Sequence, residues 1–326
     1  MNEQRPVEAL VTGATGFVGS HLVEALVARG DRVRCLTRPT SDRRRLPPQV
    51  TQVPGTLDDV ESLAKAVASV EVVYHLAAVT STAHPTDYDH TNRGGVVRLV
   101  TALAARAPAA RLLFCSSLAA GGPARAGRPL TETDPPSPVG PYGVSKARAE
   151  QEIASAGIDA VIIRPPAVYG PRDRDVLAAF RLASHGFAVR TGPRGQQLAL
   201  IHVADLVRAL ASAGRTLRAG DLYYVNGGNY RWEDIVCAMG DAVGRRPHII
   251  PMPAPVMRCA GYAARAWARM TRAKPLLTPE RSWDLVQPSW TCDDARARRD
   301  LDYQPQIALA EGMRATAAWY REQRWL

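Results

Sequence analysis

A glycine-rich segment near the start of the chain, Thr12-Gly13-Ala14-Thr15-Gly16-Phe17-Val18-Gly19, limits the possible folds more than any other feature. It follows a short apolar run, Val7–Val11, and opens a stretch with helical spacing of apolar residues, Phe17–Arg29. Between a strand and a helix, Gly13 permits the sharp turn, Gly16 lets the backbone approach a pyrophosphate and Gly19 lets the helix pack closely on the sheet. The helix N-terminus favours the phosphate charge. We therefore expect a dinucleotide here, with contacts from Gly13, Thr15, Gly16, Phe17, Val18 and Gly19.

Strand-like and helix-like segments alternate over the first half of the chain. The further predicted strands are 32–37, 72–76, 111–116 and 160–164, and the predicted helices are 58–68, 94–105 and 143–155. This alternation predicts an α/β fold of the Rossmann type, a doubly wound parallel sheet with helices on both faces. Prolines and glycines interrupt the pattern from Pro165 onward, which predicts a smaller mixed α/β substrate domain. The expected bounds are 1–165 for the Rossmann domain, with a returning segment near 199–226, and 166–198 and 227–326 for the substrate-binding domain.

Composition narrows the classes of function. The net charge is +10, but only three of the 41 basic residues are lysine, and the arginines are spread along the chain without interleaved aromatic residues. We therefore expect no nucleic-acid partner. The five cysteines form no CxxC pair, which predicts neither a disulfide framework nor a metal site. The sequence has no apolar stretch long enough to span a bilayer, and its polar start lacks the layout of a signal peptide, so we expect a cytoplasmic protein.

Further motifs follow the glycine-rich turn in order along the chain. They are Val73-Tyr74-His75-Leu76-Ala77-Ala78, Asn92 in an Asn-x-x-Gly helix start, Phe114-Cys115-Ser116-Ser117, Pro141-Tyr142-Gly143-Val144-Ser145-Lys146, Arg164–Pro171 and Ile201–Asp205. Together with the GxxGxxG spacing of the turn, they resemble the extended short-chain dehydrogenase/reductases, a family of nucleotide-sugar epimerases and dehydratases, dihydroflavonol-type reductases and 3β-hydroxysteroid dehydrogenases. The resemblance implies an NAD(P) cofactor, a small-molecule substrate and, by analogy, a homodimer.

Tyr142 and Lys146 are four residues apart, so on a helix they share one face. A tyrosine has an unperturbed pKa of about 10, and a nearby ammonium lowers that pKa because it favours the phenolate. We therefore predict that Tyr142 exchanges a proton with a carbonyl or alcohol oxygen of the substrate. Lysine is rare in this chain, so lysine at position 146 favours a role that arginine does not fill.

The resemblance assigns roles to the neighbours of this pair. It implies that Lys146 also holds the ribose of the nicotinamide nucleotide. It implies that Ser117 orients the substrate oxygen, with Ser116 as the alternative. Asn92 is expected to have a structural role and to relay a water molecule.

The end of the second predicted strand bears on the choice of cofactor. NAD-preferring enzymes place an acidic residue here to bind the ribose hydroxyls, whereas this chain has Thr37 followed by Arg38. Arginine is suited to pair with the 2′-phosphate of NADP, and Ser41 and Arg43 lie close enough in sequence to assist. We therefore predict NADP, with NAD as the alternative.

The adenine end of the cofactor site departs from the family pattern. Gly55-Thr56-Leu57-Asp58 stands where the family often has Gly-Asp-Leu, which leaves Thr56 and Asp58 as alternative contacts to adenine. The resemblance adds Leu57, Ala77, Lys146 and Pro165 to the expected cofactor contacts.

Two further departures concern the substrate. Nucleotide-sugar enzymes of the family carry an arginine four residues before the histidine at position 202, and this chain has Leu198 there. Ser117-Leu118-Ala119 replaces the Thr-Asp-Glu signature of the dehydratases. We therefore predict an oxidoreductase that interconverts a ketone and a secondary alcohol on an apolar substrate, closest to the dihydroflavonol-reductase and 3β-hydroxysteroid-dehydrogenase branch. The alternatives are a nucleotide-sugar epimerase or dehydratase with tightly bound NAD, and a cofactor-sensing binding protein.

Residues 255–272 have the pattern of a basic amphipathic helix. The apolar positions are Val256, Ala260, Ala263, Ala264, Trp267 and Met270, and the arginines are Arg258, Arg265, Arg269 and Arg272. We predict that the apolar stripe packs on the core of the substrate domain. Contact with an anionic membrane surface is the alternative that we do not favour.

Overall fold

A seven-stranded parallel sheet forms the centre of the molecule, in a computed structural model that describes residues 5–125, 127–216, 220–271 and 277–326. The first six strands are β1 (Glu8–Thr12), β2 (Arg32–Thr37), β3 (Thr51–Pro54), β4 (Val72–His75), β5 (Arg111–Cys115) and β6 (Ala160–Arg164). The seventh strand, β10 (Asp221–Tyr224), pairs in parallel with β6. The order across the sheet is β3-β2-β1-β4-β5-β6-β10, so the chain winds outward in both directions from β1.

Helices cover both faces of this sheet. They are α1 (Phe17–Ala28), α2 (Val60–Val67), α3 (Thr86–Tyr88), α4 (Gly95–Arg106), α5 (Leu118–Gly121), α6 (Pro141–Ser155) and α8 (Val203–Thr216), and a π-helix at Asp89–Gly94 leads into α4. Val11 packs in the core cluster that contains α1 and α8, whereas its neighbour Leu10 packs in the cluster that contains α2, α4 and α6. Because successive strand residues point to opposite faces, β1 joins two separate cores. The predicted doubly wound Rossmann-type fold is confirmed.

The remaining elements form a smaller mixed layer beyond the carboxyl ends of the strands. Its strands are β7 (Ala167–Tyr169), β8 (Phe187–Arg190), β9 (Gln197–His202), β11 (Gly228–Arg231), β12 (His248–Pro251) and β13 (Ser289–Trp290). Its helices are α7 (Leu177–Ser184), α9 (Trp232–Val243), α10 (Ala254–Thr271), α11 (Pro279–Leu285) and α13 (Leu309–Glu322). One further helix, α12 (Ala295–Leu301), packs on α8 and β10 of the large sheet. Strand β9 pairs with β11 in antiparallel and with β7 and β13 in parallel, and β8 pairs with β12.

The segment between these layers crosses from one to the other. Strand β9 belongs to the smaller sheet, whereas α8 packs on α1 and β10 completes the large sheet. A third core cluster, centred on Phe180 and Tyr320, lies among α7, α9 and α13. The division into two domains with the bounds given above stays a prediction.

The prediction that the apolar stripe of α10 packs on the core is wrong. The buried residues of this helix are Met257, Gly261 and Ala268, whereas Trp267 is 61% exposed and Met270 85% exposed. Arg272, the last arginine of the predicted stripe, lies outside the described residues. Within the described ranges, no helix is both long and apolar enough to cross a membrane.

Candidate active site

The glycine-rich turn closes tightly around its own backbone and that of the neighbouring strand. Gly13 has a φ of +72°, and a Cβ atom there would lie 2.6 Å from the amide nitrogen of Ala77. A Cβ atom on Gly19 would lie 2.1 Å from the carbonyl oxygen of Gly13, so α1 approaches the turn as closely as a helix backbone can. No side chain caps the N-terminus of α1 at Gly16. The uncapped amides and the bare backbone fit a pyrophosphate.

A cavity of about 500 Å³ begins beside this turn and extends to the smaller layer. Of the residues predicted from the sequence, Phe17, Val18, Ser117, Tyr142, Lys146 and Pro165 line it. The predicted residues that do not line it are Gly13, Thr15, Gly16, Gly19, Arg38, Leu57, Ala77 and Asn92. The cavity therefore joins the predicted proton-transfer residues to one end of the glycine-rich turn.

Tyr142 and Ser117 meet on the wall of the cavity. Gly140 and Pro141 begin α6, so Tyr142 lies in its first turn, and Ser117 caps the short helix α5, where its Oγ accepts a hydrogen bond from the Ala119 amide at 3.2 Å. Burial raises the pKa of Tyr142 above its usual value, and a hydrogen bond with Ser117 acts in the opposite direction. The Tyr142 hydroxyl is therefore protonated at neutral pH.

Lys146 is buried one turn further along α6. Its Nζ donates a hydrogen bond to the carbonyl oxygen of Cys115 at 2.7 Å and lies 3.9 Å from the centre of the Phe114 ring. Burial lowers the pKa of Lys146 to about 8. The lowered tyrosine pKa expected from the sequence is not found, because burial outweighs other effects on Tyr142.

Asn92 holds the wall of the site and does not enter the cavity. Its side chain accepts a hydrogen bond from the amide of Val79 at 2.8 Å and donates to the carbonyl of Val79 at 3.0 Å. It also donates to the hydroxyl of Ser145 at 2.9 Å. Asn92 thereby ties the loop after β4 to α6, which carries Tyr142 and Lys146.

A buried polar network lies beneath these residues, and sequence reasoning missed it. Ser116 donates to Glu150, and the guanidinium of Arg164 donates to the same carboxylate and, at 2.8 Å, to the hydroxyl of Tyr224. The side chains of Arg164 and Glu150 are 3% and 7% exposed. Because Ser116 already has this partner, the geometry favours Ser117 as the residue that faces the substrate. Glu150 lies four residues after Lys146, a spacing that could have indicated a shared helix face.

The predicted contacts to the adenine half of the cofactor lie outside the cavity. Arg38 is exposed after β2, and no ion pair within the described residues engages its guanidinium. Leu57 packs near Gly95, and its carbonyl accepts from Arg98 at 2.6 Å. Asp58 forms ion pairs with Arg98 and His90, so of the two alternative adenine contacts, the geometry favours Thr56.

The cavity is also lined by acidic residues that the sequence did not point to. Asp173, Asp175, Glu280 and Asp284 line it together with Arg281. Burial raises the pKa of Asp284 to about 6, and nearby Arg281 lowers it in part. These residues follow β7 or lie on α11, more than a hundred positions apart, so no local pattern could bring them together.

Asp173 gives a prediction on stability. Its Oδ1 accepts from the Asp175 amide at 2.8 Å, whereas its Oδ2 is buried without a partner among the described residues. Burial raises its pKa from 3.8 to about 6. The folded chain therefore binds this proton more tightly than the unfolded chain, and the stability that results is present below about pH 4 and lost as the pH rises through about 6. Asp173→Asn should consequently stabilise the protein at neutral pH, by at most about 3 kcal/mol, and should have little effect at about pH 4.

Urea unfolding at the two pH values measures this difference. Asp134→Asn is the control, and its expected change in stability has the opposite sign. Hydrogen bonds with the Thr131 amide and Arg128 lower the pKa of Asp134, so its carboxylate stabilises the folded chain. That variant should lose stability at neutral pH. If Asp173→Asn raised the free energy of unfolding equally at both pH values, the gain would not come from removing a buried negative charge.

A sequence profile of the NAD dependent epimerase/dehydratase family matches residues 9–225. The chain belongs to this family. The ceramide reductase of Caulobacter vibrioides (strain NA1000 / CB15N) is 30% identical over 323 residues, which cover 97% of this chain and 95% of that protein. The 4-hydroxy-2-methyl-3-oxo-4-farnesyl-3,4-dihydroquinoline-1-oxide ketoreductase of Stigmatella aurantiaca is 28% identical over 324 residues, which cover 95% of each. The UDP-glucose 4-epimerase of Thermus thermophilus, solved in complex with NAD, matches with a TM-score of 0.77 and 26% identity over 96% of this chain and 98% of that one.

Membership in the epimerase/dehydratase family confirms the resemblance to the extended short-chain dehydrogenase/reductases. Relatives named as reductases and dehydrogenases span nearly the whole chain, and they include members of the predicted branch. This member of the epimerase/dehydratase family is therefore an NAD(P)-dependent oxidoreductase.

Proposed function

We propose that the protein is an NADPH-dependent reductase that converts a ketone on an apolar substrate to a secondary alcohol. The observation that carries this proposal is that Ser117, Tyr142 and Lys146 line the same mainly apolar cavity. In the overall reaction, the carbonyl carbon gains a hydride, the carbonyl oxygen gains a proton and the cofactor is oxidised. When bound, the reduced nicotinamide supplies the hydride.

Each side chain at the cavity has a distinct part in this proposal. The Ser117 hydroxyl donates to the carbonyl oxygen and holds it beside Tyr142, whose hydroxyl gives up the proton. A protonated tyrosine suits reduction, because the developing alkoxide needs a donor. The Lys146 ammonium favours the phenolate that remains, and Lys146 would also hold the ribose of a bound nucleotide.

The apolar character of the substrate rests on apolar residues of the smaller layer that line the cavity. Leu198 lines the cavity at the position where nucleotide-sugar enzymes place an arginine, and Trp290 and Leu285 line it nearby. The named substrates of two relatives, a ceramide and a farnesyl-bearing quinoline oxide, support the same conclusion. The Asp284 carboxylate, which no donor of the described residues engages, suits a substrate that also carries a hydroxyl or amide N–H.

A series of ketones of increasing chain length tests the proposed function. Loss of NADPH absorbance should report turnover, and kcat/KM should rise by up to about fourfold for each methylene that the cavity buries. UDP-glucose serves as the comparison. Epimerisation of UDP-glucose with tightly held NAD would favour the nucleotide-sugar alternative, and NADPH binding without turnover of any ketone would favour the cofactor-sensing alternative.

Arg38→Asp tests the preference for NADPH. The exposed guanidinium that follows Thr37 can form a charge-assisted hydrogen bond with a 2′-phosphate, which is worth about 1.5–3 kcal/mol. The variant should therefore raise the Kd for NADPH by about 10- to 150-fold and change the Kd for NADH much less. Fluorescence titration measures both constants, and Arg106→Asp makes the same charge change on exposed α4. An equal loss for the two cofactors would overturn the choice of NADPH.

Two other expectations from the sequence stay predictions. They are the homodimer and the cytoplasmic location. Light scattering measures the oligomeric state.

A further inference from the structure

Helix α10 is attached to the rest of the protein by a narrow strip of small residues. A Cβ atom on Gly261 would lie 2.8 Å from the amide nitrogen of Pro279, so the helix backbone touches the start of α11. Met257 and Ala268 complete the buried side of the helix. This contact uses few of the large apolar side chains of α10.

The large apolar side chains of α10 point to solvent. Val256 is 50% exposed, Tyr262 63%, Trp267 61% and Met270 85%. At about 100° per residue, these four occupy an arc of about 140° opposite the buried side; we call them the apolar face of α10. They make up four of the 11 large hydrophobic residues that are exposed in the described part of the chain. Such a concentration on one helix indicates a surface that contacts another body.

The charges around this face have a single sign. Residues 254–271 contain three arginines and no acidic residue. Arg258, Arg265 and Arg269 share one flank, between the buried side and the apolar face. Arg265 is engaged by Glu280, and Arg269 donates to the carbonyl oxygen of Ala83 at 3.4 Å. Arg258 is exposed and has no ion pair within the described residues.

The helix also contacts both sides of the candidate active site. It packs on α11, whose Glu280 and Asp284 line the cavity. On the other side, Arg269 reaches Ala83, in the loop between the cavity residues Thr80 and Tyr88. A body that covers the apolar face of α10 would therefore lie beside the cavity.

We infer that the apolar face of α10 docks on an anionic phospholipid surface. Trp267, Met270 and their neighbours would lie at the boundary of headgroups and acyl chains, where tryptophan and tyrosine are favoured. Arginines on the flank would reach the headgroup phosphates. A second copy of the chain fits less well, because two-fold pairing through this face would bring the arginine flanks of two copies together without any acidic residue on either helix.

Vesicle co-sedimentation of the full-length protein, without substrate, tests this inference. The expected result is binding to vesicles of phosphatidylcholine with phosphatidylglycerol at low salt, weaker binding at high salt and little binding to pure phosphatidylcholine. Arg258→Gln with Arg269→Gln should weaken binding on the order of 10- to 30-fold. Trp267→Ser with Met270→Ser should weaken it by at least about tenfold.

Matched variants on other surfaces control for charge and hydrophobicity. Arg106→Gln with Arg314→Gln removes the same charge from exposed positions on α4 and α13, and Val60→Ser with Leu182→Ser removes apolar side chains from α2 and α7. Both should leave vesicle binding unchanged.

Three results would overturn the inference. One is wild-type protein that stays in the supernatant with anionic vesicles at low salt. Another is a control variant that loses binding as strongly as the α10 variants. The third concerns the Trp267→Ser/Met270→Ser variant: light scattering shows a monomer where the wild type is a dimer, and vesicle binding is unchanged. This result would make the apolar face a subunit interface. Because no ketone is present, none of these results bears on the proposed reductase activity.

Discussion

Replacement of Tyr142 by phenylalanine should lower kcat for ketone reduction by about 100- to 10,000-fold, the range that a positioned proton donor contributes. The change removes one oxygen atom and leaves the ring, which lies edge-to-face with Tyr88 at 6.3 Å. The Kd for NADPH should change little, because the hydroxyl donates its proton to the substrate. Steady-state kinetics and a cofactor titration measure the two quantities separately.

Tyr88→Phe provides the matched control for this experiment. Tyr88 also lines the cavity and also loses only a hydroxyl, so it tests whether any buried hydroxyl on this wall is required. Most of the activity should remain. A Tyr142→Phe variant that is as active as Tyr88→Phe would show that the proton comes from another group.

Glu150→Gln should cause the largest loss of stability of the variants considered, about 3–5 kcal/mol in the free energy of unfolding. The substitution leaves the guanidinium of Arg164 buried without its counter-charge, and it weakens the acceptor of the Ser116 hydroxyl. Urea unfolding at neutral pH measures the loss.

Two controls separate the loss of a buried charge partner from other effects. Glu152→Gln removes a carboxylate from the same helix, where its pair with Arg93 is partly exposed, and should cost much less stability. Glu150→Leu combined with Arg164→Met should recover much of the lost stability, because no unpaired charge remains. Equal losses for Glu150→Gln and Glu152→Gln would contradict the importance of burial.

Most strands of the central sheet could be predicted because they are short segments rich in buried apolar and β-branched residues. The predicted strands 32–37 and 160–164 agree with β2 and β6 at both ends. Strand β3, Thr51–Pro54, was not predicted, because it lies at the edge of the sheet, is mostly exposed and ends in proline. The apolar pattern of β3 in the sequence is therefore weaker than that of the interior strands.

The candidate site could be predicted only where it depends on local spacing. The glycine-rich turn and the pair of Tyr142 and Lys146 are each contained in a few residues. Glu280 and Asp284 reach the same cavity from α11, and only the tertiary fold brings them there. The pKa of Tyr142 was predicted in the wrong direction because a sequence does not state how deeply a hydroxyl is buried.

The face of α10 was predicted wrongly for a related reason. Helical periodicity identifies a face to bury when the opposite face is polar. In α10 the buried side includes Gly261 and Ala268, whose small size permits close approach to α11, whereas Trp267 and Met270 lie on the exposed side. The close contact between the backbones of α10 and α11 therefore determines which side of α10 is buried, even though the largest apolar side chains lie on the other side.

The brevity of α11 has a consequence for how relatives of this enzyme diverge. Four of the seven residues of Pro279–Leu285 border the cavity, yet none of the residues that we assign to the cofactor lies within a hundred positions of them. If the proposed function holds, the range of ketones accepted can therefore change through about two turns of one helix, while the residues assigned to hydride transfer stay the same. Such a graft has to keep the glutamate at position 280, because its ion pair with Arg265 also anchors α10.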